Sequence, residues 1–124
     1  MSNERILLVE DEVSLLDLYK ELLTSKGYIV DTANNGQKAM HLMTNGGYDL
    51  VLLDIRMPQM DGLEVLKNLH AKSLSNKNKK VIMLSNLDSP QTLTVAKKYG
   101  AQGQLLKSSY TPDEFLKEVA SLVK

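Results

Sequence analysis

The chain has 124 residues, 15 basic against 15 acidic side chains, and a hydrophobic fraction of 43 %. That length fits one domain, and that apolar fraction supports a core and excludes a disordered chain. Zero net charge leaves no broad attraction to nucleic acid or anionic lipid, and the lack of cysteine excludes disulfides, thiolate chemistry and zinc–thiolate sites.

In chain order, a polar start leads into a short apolar run, Ile6-Leu7-Leu8-Val9. This run is too short for a signal peptide or a membrane span, so cytoplasmic residence is the expectation. Leu15, Leu18 and Leu22 recur at helical spacing within 13–25, and Gly27 offers a stop. Tyr28-Ile29-Val30 reads as a second strand and 37–44 as a second helix. Leu50-Val51-Leu52-Leu53 is a third strand, and 63–71 a third helix. The polar, lysine-rich stretch 73–80 reads as a surface connection. Val81-Ile82-Met83-Leu84 follows. Ser89-Pro90 then caps a helix over 92–99 that stops at Gly100. Gln104-Leu105-Leu106 is the fifth strand. Thr111-Pro112-Asp113-Glu114 opens the last helix, 113–123, with proline at its first turn and glutamate three residues after the cap.

The apolar runs are near-continuous rather than alternating, as in strands buried on both faces of a parallel sheet. Five β-α units in succession predict one α/β domain over 1–124, a doubly wound five-stranded parallel sheet flanked by five helices. Such sheets bind ligands beyond the carboxyl ends of their strands.

Those ends carry chemistry. Glu10 and Asp11 follow the first run, Asp54 ends the third, Ser85 follows the fourth and Lys107 the fifth. Three convergent carboxylates repel one another unless a cation or protons neutralise them. Hard oxygen donors suit Mg²⁺, which takes one or two carboxylates together with waters and phosphate oxygens. A lysine can hold a phosphoryl oxygen as a point charge, a serine can donate to another, and a carboxylate can be the nucleophile.

Four pieces in order carry a family resemblance: Val9-Glu10-Asp11-Glu12, Leu52-Leu53-Asp54-Ile55-Arg56-Met57-Pro58-Gln59-Met60-Asp61-Gly62, Leu84-Ser85 and Leu106-Lys107. Over essentially its whole length the chain resembles a response-regulator receiver domain of two-component signalling, either a stand-alone relay of the chemotaxis type or a piece of a larger regulator. The resemblance implies the flavodoxin-like strand order 2-1-3-4-5. It implies Asp54 as phosphoacceptor, and Mg²⁺ held by Glu10, Asp11, Asp54 and the Arg56 main-chain carbonyl. Ser85 and Lys107 would contact the phosphoryl group. The implied donor is a sensor histidine kinase or a histidine phosphotransfer protein. The implied output is a switch on the face formed by the fourth helix, fifth strand and fifth helix, acting on a downstream protein. The domain would be a phosphorylated signalling module rather than an enzyme, a monomer or a phosphorylation-dependent dimer, with no direct contact to nucleic acid or membrane.

The chain departs from the receiver pattern at several positions. Gln104 stands three residues before the lysine, where receivers commonly carry an aromatic ring that turns inward on activation; glutamine supplies no ring. Ser108 stands where a proline with a preceding cis bond is usual, and a cis bond before a non-proline residue costs about 2.5–4 kcal/mol. Asn86 replaces a small residue and could crowd the phosphoryl site. Arg56 and Leu87 offer no acid or amide to orient an attacking water, so slow hydrolysis of the phosphorylated form is expected.

Plainer readings stand beside these. Glu10-Asp11-Glu12 reads equally well as a solvated cap on the following helix. Asp61-Gly62 reads as a turn and cap. Taken singly, Ser85 is more often a turn residue and Lys107 a surface lysine. His41 and His70 read as surface or packing residues, and Lys77, Lys79 and Lys80 as a solvated run. Two other functions compete. One is a pseudo-receiver, a phosphorylation-independent interaction module. The other is a phosphatase of the haloacid-dehalogenase type, disfavoured because Arg56 stands where that family needs a second aspartate.

Overall fold

The computed structural model describes residues 3–74, 77–86, 89–107 and 109–124. Five strands and five helices alternate: β1 (Arg5–Val9), α1 (Val13–Ser25), β2 (Ile29–Ala33), α2 (Gly36–Asn45), β3 (Leu50–Asp54), α3 (Gly62–Ala71), β4 (Val81–Ser85), α4 (Pro90–Lys98), β5 (Gly103–Leu106) and α5 (Pro112–Leu122). All four strand pairs are parallel, in the order β2-β1-β3-β4-β5. The expected doubly wound fold and strand order are both present.

Alternate residues of each strand face opposite layers. Leu7, Val9, Val51, Leu53, Val81 and Met83 pack against Ala39 and Met43 of α2, Val65, Leu66 and Leu69 of α3, and Ala96 of α4. Ile6, Leu8, Leu50, Leu52, Ile82 and Leu84 pack against Leu16, Tyr19 and Leu23 of α1 and Phe115 and Val119 of α5. The Tyr19 and Phe115 rings stack with centroids 4.5 Å apart. Residues pointing either way are therefore apolar, which is why β3 and β4 read as unbroken runs and are buried throughout.

The edge strands behave differently. β2 and β5 each have one neighbour in the sheet, and Ile29 and Gln104 are exposed. Burial on both faces thus holds for the three inner strands only. β2 also runs past Val30 to Ala33, because Leu7 to Val9 offer pairing to Asp31, Thr32 and Ala33 whatever their polarity.

Local signals act at the helix ends. The Ser89 side chain accepts from the Thr92 amide, and Thr111 and Asp61 each form reciprocal capping boxes with Glu114 and Glu64. Asn35 caps α2, accepting from the Lys38 amide at 2.8 Å, a cap not read from the sequence. Gly27 and Gly100 follow α1 and α4 with φ of 90° and 113°, in the left-handed region that a side chain disfavours.

The stretch 73–80 is less open than its composition suggests. Lys77 and Lys79 are exposed, but Asn78 is buried. Its side chain donates to the Met43 carbonyl at 3.0 Å and accepts from the Tyr48 amide at 3.4 Å. Lys80 reaches the Leu122 carbonyl at 2.8 Å, so it too departs from a solvated run. Buried main-chain groups need partners, and this polar segment supplies them. His41 is exposed, and His70 meets the edge of Tyr99 with centroids 5.2 Å apart, as surface and packing roles require. Among the described residues no helix is long and apolar enough to cross a membrane.

One close approach ties α3 to the end of β3. The Gly62 amide donates to the Ile55 carbonyl at 2.9 Å, and a Cβ at Gly62 would collide with the Asp54 carbonyl oxygen and lie 3.2 Å from the Ile55 Cα. Elsewhere in a helix, glycine to alanine stabilises by up to about 1 kcal/mol. Here Gly62→Ala is expected to destabilise by roughly 1–3 kcal/mol through overpacking. Urea unfolding distinguishes the signs; a gain in stability would show that α3 is free to shift away from Asp54.

Candidate functional site: an acidic pocket at the strand ends

Each functional side chain stands at or just past the carboxyl end of a strand, held there by main-chain pairing. The Glu10 amide donates to the Ala33 carbonyl at 3.1 Å, extending β1 by one residue. Asp54 is the last residue of β3, and the next amide, that of Ile55, donates to the Leu84 carbonyl at 3.1 Å. Ser85 ends β4, and its carbonyl accepts from the Lys107 amide at 2.7 Å. Parallel pairing therefore lines up four chain segments on one edge of the sheet.

The side chains converge. The Lys107 ammonium lies 2.9 Å from Glu10 Oε1, 3.0 Å from Glu10 Oε2 and 2.9 Å from Asp54 Oδ2. Glu10 and Asp54 are 0 % and 1 % exposed, while Asp11 is exposed at the rim. One carboxylate oxygen each of Glu10, Asp11 and Asp54 lies within 4.8 Å of the other two. The Arg56 amide donates to Asp54 Oδ1 at 3.2 Å, and the Glu12 amide to Glu10 Oε2 at 3.2 Å. An open hollow of about 160 Å³, lined by Asn86, Leu106, Lys107 and Ser109, leads to the lysine from solvent. A larger hollow of about 420 Å³, lined by Lys26, Tyr28, Asp113, Leu116, Lys117 and Ala120, brings none of these groups together.

The plainer readings of several residues give way. Glu12 occupies the cap position of α1 without a side-chain cap bond, and Glu10 is turned into the pocket, so the acidic trio is no simple solvated cap. Lys107 is no surface lysine, its side chain being only 8 % exposed, and Ser85 is buried in the sheet. Asp61 does cap α3, as its turn reading holds.

Burial pushes the Asp54 carboxyl up from an ordinary 3.8 to about 7; the Glu10 carboxylate beside it adds to this, and Lys107 offsets it only in part. Burial works to lower Lys107, but its contacts with Asp54 and Glu10 prevail and hold its pKa above 10.5. One ammonium shared by two buried carboxylates leaves the pocket short of positive charge. Among the described residues, Glu10 Oε1 and Asp54 Oδ2 are buried and make no aligned hydrogen bond, although each faces the ammonium as an ion-pair partner. The hard oxygens within 4.8 Å of one another, their excess negative charge and these two oxygens together fit a small divalent cation such as Mg²⁺.

One contact was not legible in the sequence. The Ser85 hydroxyl donates to Gln104 Oε1 at 3.0 Å. Gln104 lies opposite Met83, and Leu106 opposite Ser85, so Gln104 and Ser85 are diagonal neighbours on one face of the sheet. The position that lacks an aromatic ring holds the serine instead. Ser108 and Leu87 lie outside the described residues.

A family model described as the response regulator receiver domain matches residues 6–120. The chain belongs to that family. Among curated relatives, the receiver is 35 % identical over 101 residues to sporulation initiation phosphotransferase F of Bacillus subtilis, covering 82 % of this chain and 79 % of that protein. It is 31 % identical over 120 residues to the transcriptional regulatory protein CusR of Escherichia coli, covering 97 % of this chain and 51 % of that protein. It spans only 4 % of the hybrid signal transduction histidine kinase B of Dictyostelium discoideum, which it matches at 42 % identity over 73 residues. Among solved structures, a CheY-like receiver domain protein from Methanospirillum hungatei superposes with a TM-score of 0.84 at 28 % identity, covering 98 % of this chain and 94 % of that one. The response regulator TrrA of Thermotoga maritima, solved in complex with Mg(2+)-BeF, superposes with a TM-score of 0.75 at 36 % identity over 96 % of this receiver and 98 % of that chain.

The raised Asp54 pKa sets a pH dependence. The folded receiver binds this proton up to about pH 7, whereas the unfolded chain releases it near 3.8. Stability from this group is therefore full below the unfolded value and is lost as pH rises to about 7. In metal-free buffer, Asp54→Asn is expected to gain on the native receiver by about 1.4 kcal/mol per pH unit across that window. Urea titrations of both proteins at several pH values check it; parallel pH profiles would show that Asp54 is charged throughout.

Proposed function

We propose that this receiver accepts a phosphoryl group on Asp54 from a phosphohistidine of a sensor histidine kinase or a histidine phosphotransfer protein. The observation that carries the reading is the Asp54 carboxylate, buried at a strand end, beside Glu10 and 2.9 Å from the Lys107 ammonium. A lone buried carboxylate is costly, and this arrangement suits one that becomes an acyl phosphate.

In the reaction, an Asp54 carboxylate oxygen forms the bond to phosphorus while the bond from phosphorus to the donor's imidazole nitrogen breaks. The electron pair of that bond stays on the imidazole. The Arg56 amide on Asp54 Oδ1 fixes the carboxylate plane. The Lys107 ammonium, already facing Asp54, is placed to take up a phosphoryl oxygen as charge moves onto the group. Glu10, Asp11, Asp54 and the Arg56 main-chain carbonyl would hold Mg²⁺, which when bound neutralises phosphoryl oxygens. The Mg(2+)-BeF complex of the 36 % identical TrrA supports this role for the matching pocket.

The product is a signal and not a released metabolite. The domain catalyses at most its own phosphorylation and dephosphorylation, in the cytoplasm. Phosphorylation shifts the population of the face formed by α4, β5 and α5, which a downstream protein reads.

Incubation with Mg²⁺ and acetyl phosphate, followed by intact mass, tests the reading. The native receiver is expected to gain one phosphoryl group and Asp54→Asn none; equal labelling of both, or none with acetyl phosphate or a phosphorylated histidine donor, refutes it.

A second outcome concerns lifetime. Arg56, two residues beyond Asp54, carries no acid or amide to orient water on the phosphoryl group. After donor removal the added mass is therefore expected to decay slowly, and Arg56→Asn or Arg56→Glu to decay faster. Unchanged decay in both variants would assign the lifetime to other residues.

A further inference from the structure

We propose that Gln104 is the positioning residue for the Ser85 hydroxyl, so that occupation of the pocket proceeds by exchange of one hydrogen bond, from the Gln104 amide to the phosphoryl group. The inference rests on Asp54 being the phosphoacceptor.

Ser85 is 1 % exposed, so its hydroxyl has no water to satisfy it freely. Its only O–H is given to Gln104 Oε1 at 3.0 Å. Gln104 stands two residues before Leu106, the partner of Ser85 across the sheet. The hydroxyl is thus drawn back along β5, away from the edge where Glu10, Asp54 and Lys107 meet. A phosphoryl group on Asp54 brings strong acceptor oxygens to that edge, where Lys107 is the donor side chain at hand. A charged acceptor outcompetes a neutral amide for the same O–H. Ser85 can serve one of them at a time.

The exchange is easy at the other end. Gln104 is exposed on the edge strand, so water can take over its amide. Its side chain also borders a hollow of about 70 Å³ lined by Met83, Leu93, Ala96, Lys97, Ala101 and Gly103, beneath α4. A released amide can turn over this hollow, which places the change of partner against the helix whose face is to be read. The lost bond is an ordinary neutral one, so it biases the equilibrium without locking it.

The test uses beryllofluoride with Mg²⁺ as the phosphoryl stand-in on the full chain. Bound fluoride is followed by ¹⁹F NMR, and the Gln104 side-chain amide, assigned through the β5 backbone, by ¹⁵N NMR. In the native receiver the Gln104 amide signals are expected to shift in step with bound fluoride; in Ser85→Ala they are expected not to follow it. Gln104→Leu is expected to bind beryllofluoride about two- to tenfold more tightly, since no bond must be broken, and this gain should vanish in the Ser85→Ala background. Bound fluoride with unmoved Gln104 signals, or the same gain in both backgrounds, would overturn the proposal and leave the phosphoacceptor reading intact. Absence of bound fluoride in the native receiver would remove both together. The native arm of the experiment does not depend on any variant folding.

Discussion

One ammonium group holds two buried carboxylates, and the rest of the pocket depends on that sharing. Lys107 sits 2.9 Å from both Glu10 and Asp54, which belong to the ends of adjacent strands β1 and β3. Removing the lysine would leave two desolvated acids facing each other, an arrangement that a protein interior does not tolerate charged. The strand order makes the contact possible. β5 lies two strands from β3, about 10 Å at usual strand spacing, and the strand between them ends in the short side chain of Ser85. A long, flexible lysine can cross over a serine where it could not cross over a bulky residue.

The same alternation divides labour across the sheet. Asp54 follows Leu50 and Leu52, which face α1 and α5; Ser85 follows Val81 and Met83, which face α2, α3 and α4. Charge is thus gathered from one register and the hydroxyl from the other, and they meet only at the strand ends. Under the proposed exchange of hydrogen bonds, a change at the carboxylates would reach the α4 side through Ser85, the residue that touches Gln104. No long-range wire is needed, because adjacent strands already carry the two functions side by side.

Much of this was legible in the sequence, for a physical reason. Inner strands sealed on both faces must be apolar at every position, so their ends are easy to mark, and in a doubly wound sheet the chemistry stands at those ends. Glu10, Asp54, Ser85 and Lys107 were found that way; the structure brings the side chains of Glu10, Asp54 and Lys107 into contact, while Ser85 ends the neighbouring strand with its hydroxyl on Gln104. What stayed hidden depends on register or on main-chain needs. The pairing of Ser85 with Gln104 requires knowing which residue of β5 lies opposite which residue of β4. Asn78 looks like one more polar residue in a lysine-rich loop, yet it is buried, where its side chain pairs with the Met43 carbonyl and the Tyr48 amide. β2 outran its apolar run because a ladder needs backbone, not hydrophobicity. Asn35 had a signal that could have found it: asparagine directly before a helical stretch is a favoured cap.

The end of the sheet remote from the pocket is fastened more heavily than its size suggests. The Tyr48 hydroxyl donates to Asp31 at 2.6 Å, the Arg5 guanidinium lies 4.7 Å above the Tyr48 ring, and the Arg5 amide donates to Asp49 at 2.8 Å. The Gly47 amide adds a bond to the Lys77 carbonyl at 2.9 Å. Like a bench vice, the molecule grips its strands at the end opposite the pocket. Amide protons near Tyr48 should therefore exchange more slowly than those in the loop 55–61 beyond β3, so that motion accompanying a signal stays at the rim.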